Sequence, residues 1–165
     1  MAWNTPVSWV TNQLVTADNL NKQIYDNMLF VHSGKAITPI KRIGSAYSTT
    51  STTLVDIDTT NLVATGTLST GRVLLTLTGS FYADSNAGRL LILAFLVDGV
   101  LVGGVNMMRE ALDGNGFVRC ISIATVVTGL SVGSHTFKIQ WSIANGTAYL
   151  VADATAPVNF NVVEL

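Results

Sequence analysis

The stretch "SVGSH" places His135 beside two hydroxyls, Ser131 and Ser134, a base next to potential nucleophiles. Nucleophilic catalysis needs that pairing, a third group to orient the base, and a sharp turn that presents the nucleophile. Neither further feature is legible here, and the stretch reads as an ordinary turn entering a strand. The second histidine, His32, falls at the end of a helical pattern with no partner nearby in sequence. Asp56 and Asp58 in "DID" stand two residues apart, so a strand would point both carboxylates to one side. Such a pair suits a hard cation, but a calcium site takes six or more oxygens and no third ligand is close. The pair therefore reads as strand-edge protection against stray pairing, and neither a metal nor a cofactor is expected.

Other motifs fall away on similar grounds. The glycines of "DGVLVGG" and "DGNGF" do not open a helix after a strand, and the P-loop lysine is missing. They read as turns and a bulge. The sequon "NGT" at 145–147 coincides with a hairpin turn. Phe81, Tyr82, Phe137, Trp141 and Tyr149 could line a sugar-binding face. In "HTFKIQWSIA", however, Phe137, Ile139, Trp141 and Ile143 alternate strictly, which is core patterning, and the aromatics are read as core.

The elements that would position these residues are mostly strands. From Lys41 onward the pattern has period two and many β-branched residues. Strands are predicted over 41–47, 53–57, 61–68, 72–82, 89–97, 100–105, 117–127, 135–144, 147–153 and 158–164. Asp-Gly at 98–99 and Asn-Gly at 145–146 suit type I′ hairpins, which need positive φ. Short antiparallel strands at about ten-residue spacing indicate a β-sandwich of the jelly-roll kind. Before them, Leu20, Ile24, Met28 and Val31 recur at helical spacing, which predicts a helix over about 17–32, capped by Thr16 or Asp18. Trp3, Pro6 and Trp9 precede it in an extended arm. Residues 33–43 read as a hinge, and 107–116 as the longest loop, carrying the clustered charges Arg109, Glu110 and Asp113. The chain thus divides into an arm and helix at 1–34 and a jelly roll at 35–165.

Composition narrows the class. The 165 residues are one domain's length, with 48% apolar and only 12% charged residues, about half the usual ~25%. Strands "RLLILAFLV" and "FVRCISIATVV" are apolar on both faces, which predicts burial of one face against other subunits; Cys120, in the second, is expected to be buried. The net charge of −1 and the scattered basic residues argue against nucleic acid as a partner. No apolar run exceeds the eight residues of 90–97, against roughly 20 for a membrane span. The first 21 residues hold no Lys or Arg, so no secretory signal is read and synthesis in the cytoplasm is expected.

Two segments carry a resemblance. "WNTPVSWVTNQLVTADNLNKQIYDNMLFV" resembles the N-terminal segment of tailed-bacteriophage structural proteins, through Trp3, Thr5, Pro6, Trp9, Val15, Thr16, Ala17, Leu20, Asn21, Asp26, Asn27 and Phe30. "GLSVGSHTFKIQWSIANGTAYL" with the ending "FNVVEL" resembles the last strands of small trimeric jelly rolls in phage virions, through Gly129, Leu130, Gly133, His135, Phe137, Val163, Glu164 and Leu165. The resemblance implies a non-enzymatic, homotrimeric virion protein. Its attachment segment would use Trp3, Pro6, Trp9, Leu20, Ile24 and Met28 to hold a major capsid or tail protein, most simply as a capsid decoration protein. The alternative is a tail-fibre or baseplate adhesin whose Arg109, Glu110 and Asp113 face a host receptor or glycan.

Overall fold

The structure, a computed structural model, describes residues 8, 11–25, 28, 36–44, 46–84, 89–102, 108–112 and 116–165. The chain divides into two compact units, Met1–Lys35 and Ala36–Leu165.

In the first unit, helix α1 (Ala17–Leu20) starts where expected. The Thr16 hydroxyl accepts the backbone N–H of Asn19 at 3.2 Å, satisfying one of the free donors of the first turn. One turn later the helix widens to a π turn over Asn21–Tyr25, and Met28 is again helical. Of the expected α-helix over 17–32, the described residues are α-helical at 17–20 and 28 and π-helical at 21–25. Short helices owe regular winding mainly to packing, and this apolar stripe is exposed. Residues 26–27 and 29–32, with Trp3, Pro6 and Trp9, lie outside the described residues.

The described residues of the second unit form twelve strands. They are β1 (Ala36–Arg42), β2 (Tyr47–Thr49), β3 (Val55–Asp56), β4 (Val63–Leu68), β5 (Val73–Ala83), β6 (Arg89–Val97), β7 (Val100–Leu101), β8 (Met108–Leu112), β9 (Arg119–Val127), β10 (Gly133–Ile143), β11 (Ala148–Val151) and β12 (Val158–Glu164). One sheet runs β1-β12-β5-β11-β2 with β9 on the far side of β5; the other runs β3-β10-β6-β7, with β4 also on β10 and β8 also on β6. Paired strands lie end to end along one neighbour, β3/β4 on β10, β7/β8 on β6, β11/β12 on β5 and β1/β2 on β12 and β11 in turn, which reduces the twelve to eight. Numbered along the chain, those eight lie in the orders 1-8-3-6 and 2-7-4-5. This interlocking of first strand with last is the jelly roll the sequence predicts.

The core lies between the sheets. β5 alternates buried and half-buried residues along its whole length, with Val73, Leu75, Leu77, Phe81 and Ala83 inward. Aromatic pairs tie the sheets together: Phe81 of β5 meets Trp141 of β10 edge to face at 6.4 Å, and Phe95 of β6 stacks on Phe160 of β12 at 6.0 Å. In β6, Ala94 and Leu96 on the outer side are buried as well, while Leu90 and Ile92 on that side are half-buried.

Three expectations are corrected. The hinge at 33–43 holds β1 from Ala36, because its backbone finds a partner in β12; Pro39 fits since β1 is an edge strand. The loop at 107–116 contains β8, where pairing with β6 overrides the weak strand propensity of "MREAL". Cys120 is exposed, since the alternation that turns Ile121 and Ile123 inward turns Cys120 outward.

Candidate functional site

His135, Asp98 and Ser131 do meet, in an order that suggests a catalytic triad. His135 Nδ1 lies 2.7 Å from Asp98 Oδ2, and Nε2 lies 2.8 Å from the Ser131 carbonyl oxygen and 3.5 Å from its hydroxyl. Carboxylate and carbonyl both accept, so the protonated ring, with a donor on each nitrogen, satisfies both. The Asp98 carboxylate and the Ser131 carbonyl raise the His135 pKa. Nε2 is nearer the Ser131 carbonyl than its hydroxyl, which is not the geometry of a base poised on a nucleophile. The arrangement clamps two turns, 98–99 and 129–132, to the start of β10, with Asp98 also accepting the Thr136 N–H at 2.8 Å.

Asp56 and Asp58 are likewise occupied, and by different partners. Asp56 accepts from Gln140 Nε2 at 2.7 Å and Lys138 Nζ at 2.9 Å. Partial burial pushes its pKa up, but these donors outweigh that and hold it low. β3 ends at Asp56, so Asp58 leaves the strand and accepts from the Tyr47 hydroxyl at 2.6 Å and the backbone of Thr60 and Asn61 at 2.7 and 2.8 Å. Those donors outweigh burial again and hold its carboxyl well below the usual range. No group of three or more metal-ligating side chains occurs among the described residues.

A groove opens at the sandwich edge, where β8 of one sheet faces β9 of the other. It encloses about 420 Å³ and is lined by Met108, Glu110, Arg119, Cys120, Ile121 and Ser122. Across it Arg119 Nη1 donates to Glu110 Oε1 at 3.0 Å, both side chains being partly exposed. Of the expected receptor-facing residues, Glu110 lines the groove and Arg109, its neighbour on an alternating strand, is exposed on the opposite face. Asp113 lies outside the described residues. Arg119 was not foreseen; its signal was a lone arginine at the head of the apolar run "CISIATVV".

The expected attachment residues Leu20, Ile24 and Met28 are exposed, at 47%, 50% and 65%, and Leu14 and Tyr25 beside them are exposed too.

One cluster escaped the sequence reading. Phe81, Phe137 and Trp141 are core, as expected, but Tyr82 and Tyr149 stand half-buried on the outer face of the first sheet. They are cross-strand neighbours, and their rings stack at 4.6 Å and 8°. Next along the same face come Asp84 and Thr147, joined by backbone hydrogen bonding of Asp84 N–H to the Thr147 carbonyl at 3.1 Å. Asp84 Oδ1 accepts the Thr147 N–H at 3.1 Å and pairs with Arg89 Nη1 at 2.9 Å; the Thr147 N–H first, then the Thr147 side chain, and after them the Arg89 charge keep its pKa low. Ser48, exposed, is the neighbour of Tyr149 on the other side.

No protein-family model matches the sequence, and a comparison with curated proteins finds no match. Among solved structures the chain is similar to dimeric latent PorU from Porphyromonas gingivalis, at 12% identity and a TM-score of 0.33, covering 81% of this chain and 14% of that one. It is also similar to a CBM4 structure, at 8% identity and a TM-score of 0.27, covering 74% and 94%. This chain therefore spans a small part of PorU's length, and neither likeness bears on function. No helix among the described residues is long and apolar enough to cross a membrane.

Proposed function

We propose that this protein is a non-enzymatic structural component of a tailed-phage virion, a homotrimer whose jelly roll projects from the capsid and whose N-terminal segment attaches it. The observation that carries this reading is the exposed helical stripe Leu20, Ile24 and Met28. A short, irregularly wound helix with its apolar side in water gains regularity by docking that side on another protein. Three such segments on one trimer turn weak individual contacts into tight attachment. The resemblance of residues 3–31 to phage attachment segments supports a virion protein as the partner, and the compact body without a fibrous shaft favours the major capsid protein over a tail protein.

The test is co-sedimentation of the purified chain with phage capsids lacking it. Leu20→Asp with Ile24→Asp is expected to abolish co-sedimentation while the β circular-dichroism signal stays unchanged. Equal binding by variant and parent would sink the attachment reading. Light scattering should return a mass about three times the 17.5 kDa of the chain.

The groove between β8 and β9 favours a second reading, a tail-fibre or baseplate adhesin. Its facing charges, Glu110 and Arg119, offer an acceptor and a donor to a polar receptor group in one concave place. Under that reading Glu110→Ala and Arg119→Ala reduce adsorption to host cells, whereas a capsid decoration protein shows no change.

A further inference from the structure

We propose that Tyr82 and Tyr149, with Asp84, Thr147 and Ser48 around them, form a saccharide-binding platform on the outer face of the first sheet. This goes beyond attachment to the virion and does not depend on it.

Sheet geometry assembles the platform. Residues i and i+2 on a strand share a face, so Tyr82 and Asp84 on one chain segment stand beside Tyr149 and Thr147 on the next. Ser48 extends the tyrosine row across β2. The two rings cover one face of each other. The other face of Tyr149 is turned toward β2, where its neighbour is a serine, small and exposed. A flat apolar object therefore has room above Ser48 against an aromatic ring whose π face is electron-rich.

The polar groups specify the ligand further. Asp84 is anchored through Oδ1 by Arg89 and the Thr147 N–H, so its orientation is set from within the protein. Arg89 is itself buried and also donates to the Asn145 carbonyl at 2.9 Å, which gives that anchor a fixed base. The Thr147 side chain also hydrogen-bonds the Asp84 carboxylate, which is 41% exposed and so still open to further donors. The Tyr82 and Tyr149 rings stand beside it on the same face. A carboxylate held in place by the protein and two phenol hydroxyls can thus offer polar contacts to a ligand.

A ring with one apolar face and hydroxyls around its rim fits both halves of this description. A pyranose with equatorial hydroxyls carries its axial C–H bonds on its faces and its donors and acceptors at its edge. Its face would stack on Tyr149 while rim hydroxyls donate to the Asp84 carboxylate. A purely apolar ligand would leave the carboxylate unused, and an anionic ligand would be repelled by it. The ligand class is a neutral oligosaccharide of such rings.

The experiment is a titration of the full-length chain, followed by amide NMR, with maltopentaose, cellopentaose and chitopentaose in turn. At least one is expected to bind saturably, with a Kd on the order of 1 mM, moving the amides of residues 48, 82, 84, 147 and 149. Tyr149→Ala should weaken that binding about tenfold, and Tyr149→Phe, which keeps the ring, by no more than about twofold. Ser48→Gln fills the open space at an exposed position; it should weaken binding about tenfold with an unchanged melting temperature. The proposal is overturned if none of the three binds up to ~10 mM, or if binding survives both Tyr149→Ala and Ser48→Gln undiminished. Ser48→Gln decides the matter even if Tyr149→Ala unfolds the chain. Because the assay needs no capsid, its failure leaves the attachment reading standing, and the reverse holds too.

Discussion

His135 earns its place through the proton on each ring nitrogen, and this makes its contribution pH-dependent. The Asp98 carboxylate first, and the Ser131 carbonyl second, raise its pKa above the ordinary 6.5. The clamp therefore contributes fully below 6.5 and is lost as pH rises through the folded value. Asp98 works in the opposite sense: the Thr136 N–H and His135 lower its pKa from 3.8, so its share is present above that value and lost as pH falls through the folded one. His135→Gln is expected to destabilise by about 1 kcal/mol near pH 5, discounted for the exposure of Asp98, and by less near pH 9. Thermal melts at the two pH values check this; an equal loss at both would refute the charged clamp. Glu164 is the other residue whose role is local and polar. Buried near the chain's end, it accepts the backbone N–H groups of Ser69 and Thr70 and the Thr70 hydroxyl, pinning the turn before β5. Glu164→Ala strands those donors and should cost roughly 2–4 kcal/mol in chemical denaturation. His135 stood out in the sequence as a candidate base and by resemblance, Glu164 by resemblance alone; the partners that give them work lie 37 and about 95 positions away.

At the scale of elements, the Asn145-Gly146 turn shows how a hairpin and a buried charge depend on each other. Gly146 has φ +76°, and a Cβ there would fall 0.7 Å from Arg89 Nη1. Gly146→Ala meets both obstacles, the left-handed backbone and the guanidinium that bonds to Asn145 and Asp84. We expect a loss of about 2–4 kcal/mol, read as a lower denaturation midpoint with an unchanged slope. The turn itself was legible, because Asn-Gly is specific for positive φ; the arginine lying over it was not. The other open edge of the sandwich is closed by a similar close approach. A Cβ on Gly66 of β4 would lie 1.9 Å from Ile37 Cγ2 of β1, so Gly66 admits the neighbouring strand. Strands β6 and β12 fall where the alternation predicts, at 89–97 and 158–164. β1 and β8 were hidden, since a proline and a Met-Arg-Glu-Ala run carry little strand signal and pairing alone makes them strands.

For the whole molecule, the buried core formed by the described residues runs from Ile57 to Val162, all of it in the second unit. Residues 36–165 are therefore expected to keep their circular-dichroism spectrum, and their melting temperature within a few degrees, when 1–35 are removed. A collapse of the fold on truncation would contradict this. Length, apolar content and the period-two pattern sufficed to specify an antiparallel sandwich, because alternation along a strand is a local property that needs only one buried face. The aromatic core of Phe81, Phe137 and Trp141 followed from the same alternation. What the pattern could not do was tell the two faces apart in "SFYAD" and "TAYLV": it put Tyr82 and Tyr149 with the core, although they are a register step from Phe81 and Leu150 and face outward. Nor could it bring Asp98 to His135 or Glu164 to Ser69 and Thr70, since those partners lie on segments far apart in the chain that strand pairing brings together. The sequence by itself determined the fold class, the turns and most strands. Tertiary structure alone decided which polar side chains meet, because contact between strands distant in the chain depends on sheet order and register, which no local window of residues contains.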